Sequence, residues 1–151
     1  MIYSILMKEK YLSEKTTNRI LFILALVGVA IALYVTQSFL RKTPIVCLNS
    51  GCELVRKNPA SYIAGIPVPA FGLVGYAILV ILTFLRTTSN TLHKKLLPWI
   101  VGITGGGVLF VSWFTYTEAF VIGGFCTWCV VSAGNMVTMF ALSLNSYKNN
   151  R

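Results

Sequence analysis

Four apolar runs dominate the chain, at residues 20–40, 67–85, 96–116 and 126–144, each about as long as a bilayer's hydrocarbon is thick. Inside hydrocarbon no water serves the backbone N–H and C=O groups, so runs of this length are forced into helices. Charged residues make up 11% of the sequence, where a soluble domain carries roughly a quarter. The predicted fold class is an all-α membrane protein, a four-transmembrane-helix bundle formed by residues 1–151 as one domain. Residues 41–66 make a long outer loop between the first two spans. The first run exceeds the apolar core of a signal peptide and lacks a small-x-small cleavage site, so it is read as a retained helix.

A formal charge of +9 raises the question of nucleic acid, but the basic residues form no single stripe. They sit between the apolar runs, where topology signals sit. With both termini in the cytoplasm, that side holds Lys8, Lys10, Lys15, Arg19, Arg86, Lys94, Lys95, Lys148 and Arg151. The other side holds Arg41, Lys42, Arg56 and Lys57. Nine against four supports this orientation. All four cysteines then fall on the non-cytoplasmic face, the side on which disulfides persist.

Cys126 and Cys129 form a Cys-x-x-Cys pair where the fourth span begins. Residues three apart share a helix face, and a helix N-terminus favours the thiolate, the reactive form of cysteine. A redox-active dithiol at a membrane surface follows. Cys47 and Cys52 enclose Leu-Asn-Ser-Gly, a turn-prone sequence in which Gly51 can adopt positive φ. A disulfide there closes so short a ring that the chain-entropy gain is only about 2 kcal/mol, which suits exchange better than stapling. Structural clips are the competing reading for both pairs. A four-cysteine zinc site competes less well, because the first interval must fold against a helix terminus outside the reducing cytoplasm.

Two dithiols on one face suggest a relay, and a relay needs an acceptor. No dinucleotide-binding glycine fingerprint, P-loop or haem-attachment motif is present. A lipid-soluble quinone reaches a helix terminus from within the bilayer, and no metal is required. Phe71, Trp113, Tyr116, Phe125 and Trp128 are candidates for its wall, with an interfacial aromatic belt as the alternative. Gly102 and Gly106 have the GxxxG spacing of close helix contacts, and Gly28, Gly72, Gly75 and Gly134 are further small residues in the spans. Tight packing is their first reading, and approach of a cofactor to bare backbone the second.

The order Cys47-x4-Cys52-x2-Val55, Gly65-Ile66-Pro67, Phe71-Gly72, Tyr76 and Phe125-Cys126-x2-Cys129 resembles the vitamin K epoxide reductase family, in particular its bacterial members. The resemblance covers the chain from the first span to the fourth. It implies a four-helix bundle around a quinone of ubiquinone or menaquinone type, capped by the loop that holds the first cysteine pair. It implies an enzyme of a bacterial inner membrane that couples thiol oxidation to quinone reduction and so supports disulfide formation. By the family's scheme Cys126 and Cys129 are the active-site pair, with Cys129 nearest the quinone. Cys126 exchanges with Cys52, and Cys47 receives electrons from a thioredoxin-fold partner. The chain stops after the fourth span, so that partner is expected to be a separate polypeptide.

The sequence departs from the family at three positions. Asn58 stands where Ser or Thr is usual, six residues after the second loop cysteine. Its amide can still donate to a quinone carbonyl, although Asn58-Pro59 also reads as a turn. Val68 and Ala133 occupy positions that are Asn and Tyr in animal members, which argues for a respiratory quinone over vitamin K epoxide. Glu118 is the one acid near the Cys126–Cys129 end; it either relays protons or marks the end of a span. His93 falls in the cytoplasmic connection, too far away to act as a base. Another bacterial thiol–quinone oxidase family places its two cysteine pairs in the reverse order. A non-catalytic membrane protein with two structural disulfides is the alternative of a different class.

Overall fold

The computed structural model describes residues 1–89 and 91–151. Its helices are α1 (Ile2–Arg41), the short α2 (Gly51–Lys57), α3 (Val68–Thr88), α4 (His93–Thr117) and α5 (Thr127–Asn150). All but α2 are long and apolar enough to cross a membrane. The protein is an all-α membrane bundle.

Helix α1 is about twice as long as its apolar run. No Gly or Pro stands between Ile2 and Val27, so helix initiated in the apolar part propagates backward through the polar residues. It ends at Lys42, which turns left-handed (φ 54°) and returns its N–H to the Ser38 carbonyl. Residues 117–122, between the third and fourth apolar runs, are helical. Glu118–Ile122 continue α4 as a wider π-helical turn, because nothing in Glu-Ala-Phe-Val-Ile breaks a helix. Gly123 (φ 73°) is the first residue able to turn the chain out, and its N–H and that of Gly124 both reach the Glu118 carbonyl, at 2.9 and 3.2 Å.

The bundle closes as a ring, with α1 packed on α3 and α5, and α4 packed on α3 and α5. Chain direction then puts the 42–67 segment, the start of α3, the π-helical turn and the start of α5 at one end. The starts of α1 and α4 and the ends of α3 and α5 lie at the other. Gly28 lets α3 approach α1, since a Cβ there would overlap the Tyr76 ring. Tyr76 Oη reaches the Ser132 carbonyl at 2.9 Å, tying α3 to α5. The GxxxG pair does not mark a contact between these helices: a Cβ at Gly102 or Gly106 meets no atom within 4 Å. The tight glycines of α4 are Gly105 and Gly107, which face Phe140 and Met136 of α5.

Arg86, expected in a polar connection, is buried at the end of α3 with 1% of its surface exposed. Its guanidinium donates to Glu14 Oε2 (2.9 Å), Asn18 Oδ1 (3.2 Å), Ser146 Oγ (3.3 Å) and the His93 carbonyl (3.2 Å). One cation therefore joins α1, α3, α4 and α5. A buried charge is tolerated because every face of it is matched.

At the cysteine end, α2 stops at Asn58, which is extended because a proline follows. A single 3-10 turn (Pro59–Ser61) leads into a two-stranded hairpin, β1 (Tyr62–Ile63) against β2 (Ile66–Pro67). Ala64 (φ 52°) and Gly65 (φ 81°) make its tight turn with the paired positive φ values that hairpins of this length require. The segment lays α2 over the end of the bundle.

Candidate functional site

Cys47 and Cys52 are joined as a disulfide with their Cα atoms 6.3 Å apart, while Cys126 and Cys129 are free thiols. Three features hold the disulfide in place. Asn49 Oδ1 accepts the Gly51 N–H at 3.2 Å and helps to start α2. Glu53 accepts the Ile45 N–H at 3.2 Å, closing the loop from the other side, and pairs with Arg56 at 2.6 Å. That hydrogen bond holds the Glu53 carboxyl below the usual carboxylate range. Gly51 itself is helical. It is small because α2 rests on the Phe125 carbonyl, where a Cβ would overlap backbone.

This close approach brings Cys52 to the start of α5. Cys52 Sγ lies 3.2 Å from Cys126 Sγ, across 74 residues of sequence. Cys52 and Cys126 are 1% and 0% exposed. Cys126 is the N-cap of α5, extended at φ −83°, with Cys129 in the first turn above it. Sulfurs of Cys47, Cys52 and Cys126 all lie within 4.8 Å of one another, the closeness thiol–disulfide exchange needs.

Trp128, between the two cysteines of α5, anchors the loop. Its Nε1 donates to the Val46 carbonyl at 2.7 Å, and its ring meets Tyr34 edge-on with centroids 5.4 Å apart. Tyr34 Oη in turn accepts the Val46 N–H at 3.2 Å. The residue next to Cys47 is thus pinned to α1 and α5 together.

Beneath the cysteines the bundle encloses an apolar cavity of about 280 Å³. Cys129 and Trp128 are in its wall, with Val35 of α1, Val68 and Phe71 of α3, and Phe110 of α4. Gly72, Gly75 and Gly106 also line it, and a Cβ on any of them would meet nothing within 4 Å. These glycines open space where the sequence suggested packing. Tyr76 and Ser132 bring polar groups to the same wall, their hydroxyls 3.1 Å apart.

Of the six residues expected around a quinone, Phe71 and Trp128 line the cavity, and Asn58, Trp113, Tyr116 and Phe125 lie outside its lining. Trp113 and Tyr116 are 47% and 61% exposed on the outer surface of α4, which is where an interfacial belt would place them. Phe125 is 45% exposed and contributes its backbone carbonyl to the α2 contact. Asn58 Oδ1 accepts the Ala60 N–H at 2.9 Å, so the side chain caps the 3-10 turn. Helix rotation, which the sequence leaves open, decides which aromatics face inward. The glycines were visible as small residues, but not which of them would be left uncovered.

A disulfide and a pair of free cysteines meet at the rim of an apolar cavity in a bundle of four membrane helices, an arrangement that suits a membrane oxidoreductase. The model of the vitamin K epoxide reductase family matches residues 19–144, and the chain belongs to that family.

Proposed function

We propose that this protein passes electrons from a separate thioredoxin-fold dithiol protein, through its two cysteine pairs, to a membrane quinone, and thereby supports disulfide formation. The observation that carries the reading is the 3.2 Å approach of Cys52 to Cys126 while Cys129 of the same turn lines the apolar cavity. Exchange takes place at one end of the α5 pair, and electron delivery at the other.

In this scheme a partner thiolate attacks Cys47, and a second partner thiol displaces it, leaving Cys47 and Cys52 reduced. The Cys52 thiolate then opens the Cys126–Cys129 disulfide at Cys126, and Cys129 leaves as the thiolate. Attack by Cys47 on Cys52 releases Cys126 and closes the loop disulfide again. The arrangement of bonds in the structure, with Cys47–Cys52 closed and the α5 pair reduced, corresponds to the end of that sequence. A quinone of ubiquinone or menaquinone type supplies an acceptor for two electrons and two protons. The cavity suits a flat apolar ring: Gly72, Gly75 and Gly106 leave room against the wall, and Val68 presents no polar group to it. The topology reading puts the cysteine end on the extracytoplasmic side of a bacterial inner membrane, with both termini in the cytoplasm.

The test is to follow the absorbance of added quinone while purified protein is fed a reduced thioredoxin-fold protein. Cys129→Ser abolishes quinone reduction, and Cys126→Ser stops turnover with Cys47 and Cys52 held reduced. Undiminished turnover by Cys129→Ser rejects the assignment.

A further inference from the structure

Each of the chain's four acids has a distinct setting. Glu9 is exposed, Glu14 is bonded to Arg86 and Ser146, and Glu53 is bonded to Arg56 and Ile45. Glu118 is 0% exposed, and neither of its carboxyl oxygens has a hydrogen-bond partner among the described residues. The side chain faces the Cys126 backbone N–H and the Cys129 thiol. It projects from the first residue of the π-helical turn, a local departure from α geometry of the kind that collects at functional sites.

A residue that merely ended a span would turn its carboxyl to water. Keeping an acid in an apolar interior without a matching donor costs stability, and intramembrane acids facing a bundle interior generally serve chemistry. The nearest chemistry is that of the Cys126–Cys129 dithiol.

We infer that Glu118 is the proton acceptor for the Cys129 thiol, an inference that rests on the proposed thiol-to-quinone reading. The carboxylate takes the proton from Cys129 Sγ, which leaves a thiolate and a carboxylic acid. As the Cys126–Cys129 bond closes, two electrons leave the sulfurs for the membrane quinone. The Cys126 proton and the proton held by Glu118 both end on the quinone oxygens. The products are one disulfide, one quinol and the regenerated carboxylate, so atoms, charge and electrons balance. Glu118 acts on a reacting sulfur and is in this sense catalytic.

Two measurements test this. The first is quinone reduction by wild type, Glu118→Gln and Glu118→Asp across the neutral pH range. Loss of a positioned base lowers the rate by about 10²-fold or more in Glu118→Gln and changes the shape of its pH profile, while Glu118→Asp recovers part of the rate. The second needs no quinone: the infrared difference between dithiol and disulfide forms of the wild-type protein carries a carboxyl band, because the proton taken from Cys129 rests on Glu118 in the dithiol form and the carboxylate is regenerated in the disulfide form. Assignment to Glu118 follows if the band is absent from Glu118→Gln. A Glu118→Gln enzyme with wild-type rates at every pH, or a wild-type difference spectrum without a carboxyl band, overturns the inference. Wild-type protein that fails to reduce any quinone rejects the proposed function instead, and the infrared result still decides whether Glu118 exchanges a proton with the thiols. Should Glu118→Gln not fold, Glu118→Asp takes its place: a carboxyl band that shifts in Glu118→Asp assigns it to Glu118, and a band unchanged there overturns the inference.

Discussion

Glu14 and Glu118 sit at opposite ends of the bundle, 7% and 0% exposed, and their neighbours treat them in opposite ways. Around Glu14 every polar group is matched. Arg86 reaches it at 2.9 Å and Ser146 at 2.8 Å, and Asn18 occupies another guanidinium nitrogen while its own amide bonds to α3. Around Glu118 neither carboxyl oxygen has a hydrogen-bond partner among the described residues, and the Cys126 N–H and the Cys129 thiol face it. One end is a lock that joins four helices. The other keeps an acid unmatched beside the Cys129 thiol. A matched buried charge specifies geometry, whereas an unmatched one marks a place where protons move.

The lock end should give the largest stability effect. Arg86→Met leaves Glu14 buried without its partner and destabilises the bundle by about 3–5 kcal/mol. Adding Glu14→Met to that variant recovers most of the loss, since replacing both charges by apolar side chains removes the orphan. Thermal unfolding in detergent reads both; equal destabilisation by the single and double variants would refute the view of this end as a matched lock.

Two glycines sharpen the contrast between packed and open regions. Gly28→Ala drives a methyl into the Tyr76 ring and costs about 1–3 kcal/mol. Gly75→Ala has open space before it, so stability holds or rises slightly with helix propensity, while KM for quinone increases. If Gly75→Ala lowers stability and leaves KM unchanged, the cavity wall is packing and not a binding surface.

The smallest effect belongs to Glu53 on the capping loop. Arg56 lowers the Glu53 pKa, so the pair's contribution is fully present above the unfolded carboxylate value near ~4.3 and is lost as pH falls through the depressed folded value. This partly exposed pair contributes under about 1 kcal/mol. Limited proteolysis of the loop against pH, compared between wild type and Glu53→Gln, should show acid-dependent opening in the wild type alone.

The helices were legible because hydrocarbon imposes them locally, run by run. The cysteine pairs were legible as short-range spacings, and the order of motifs from Cys47 to Cys129 carried the family. Orientation of side chains around each helix axis was not. Trp113 and Tyr116 satisfy the same composition rule as Phe71, yet only Phe71 turns toward the cavity. Gly106 belongs to a helix-contact motif by spacing and faces open space in the structure. Arg86 reads as a topology signal until the residue that neutralises it, 72 positions away, is seen beside it.

By itself the amino-acid order determined that this chain has four helices able to span a membrane and carries two closely spaced cysteine pairs, since both properties follow from residues close together along it. Only the tertiary structure decided that Cys52 meets Cys126, that Cys129 opens on an apolar cavity and that Glu118 is sealed in beside it. Those facts depend on how four helices rotate and approach one another. That arrangement is set by the summed packing of small and large side chains across the whole bundle, which no single stretch of sequence contains.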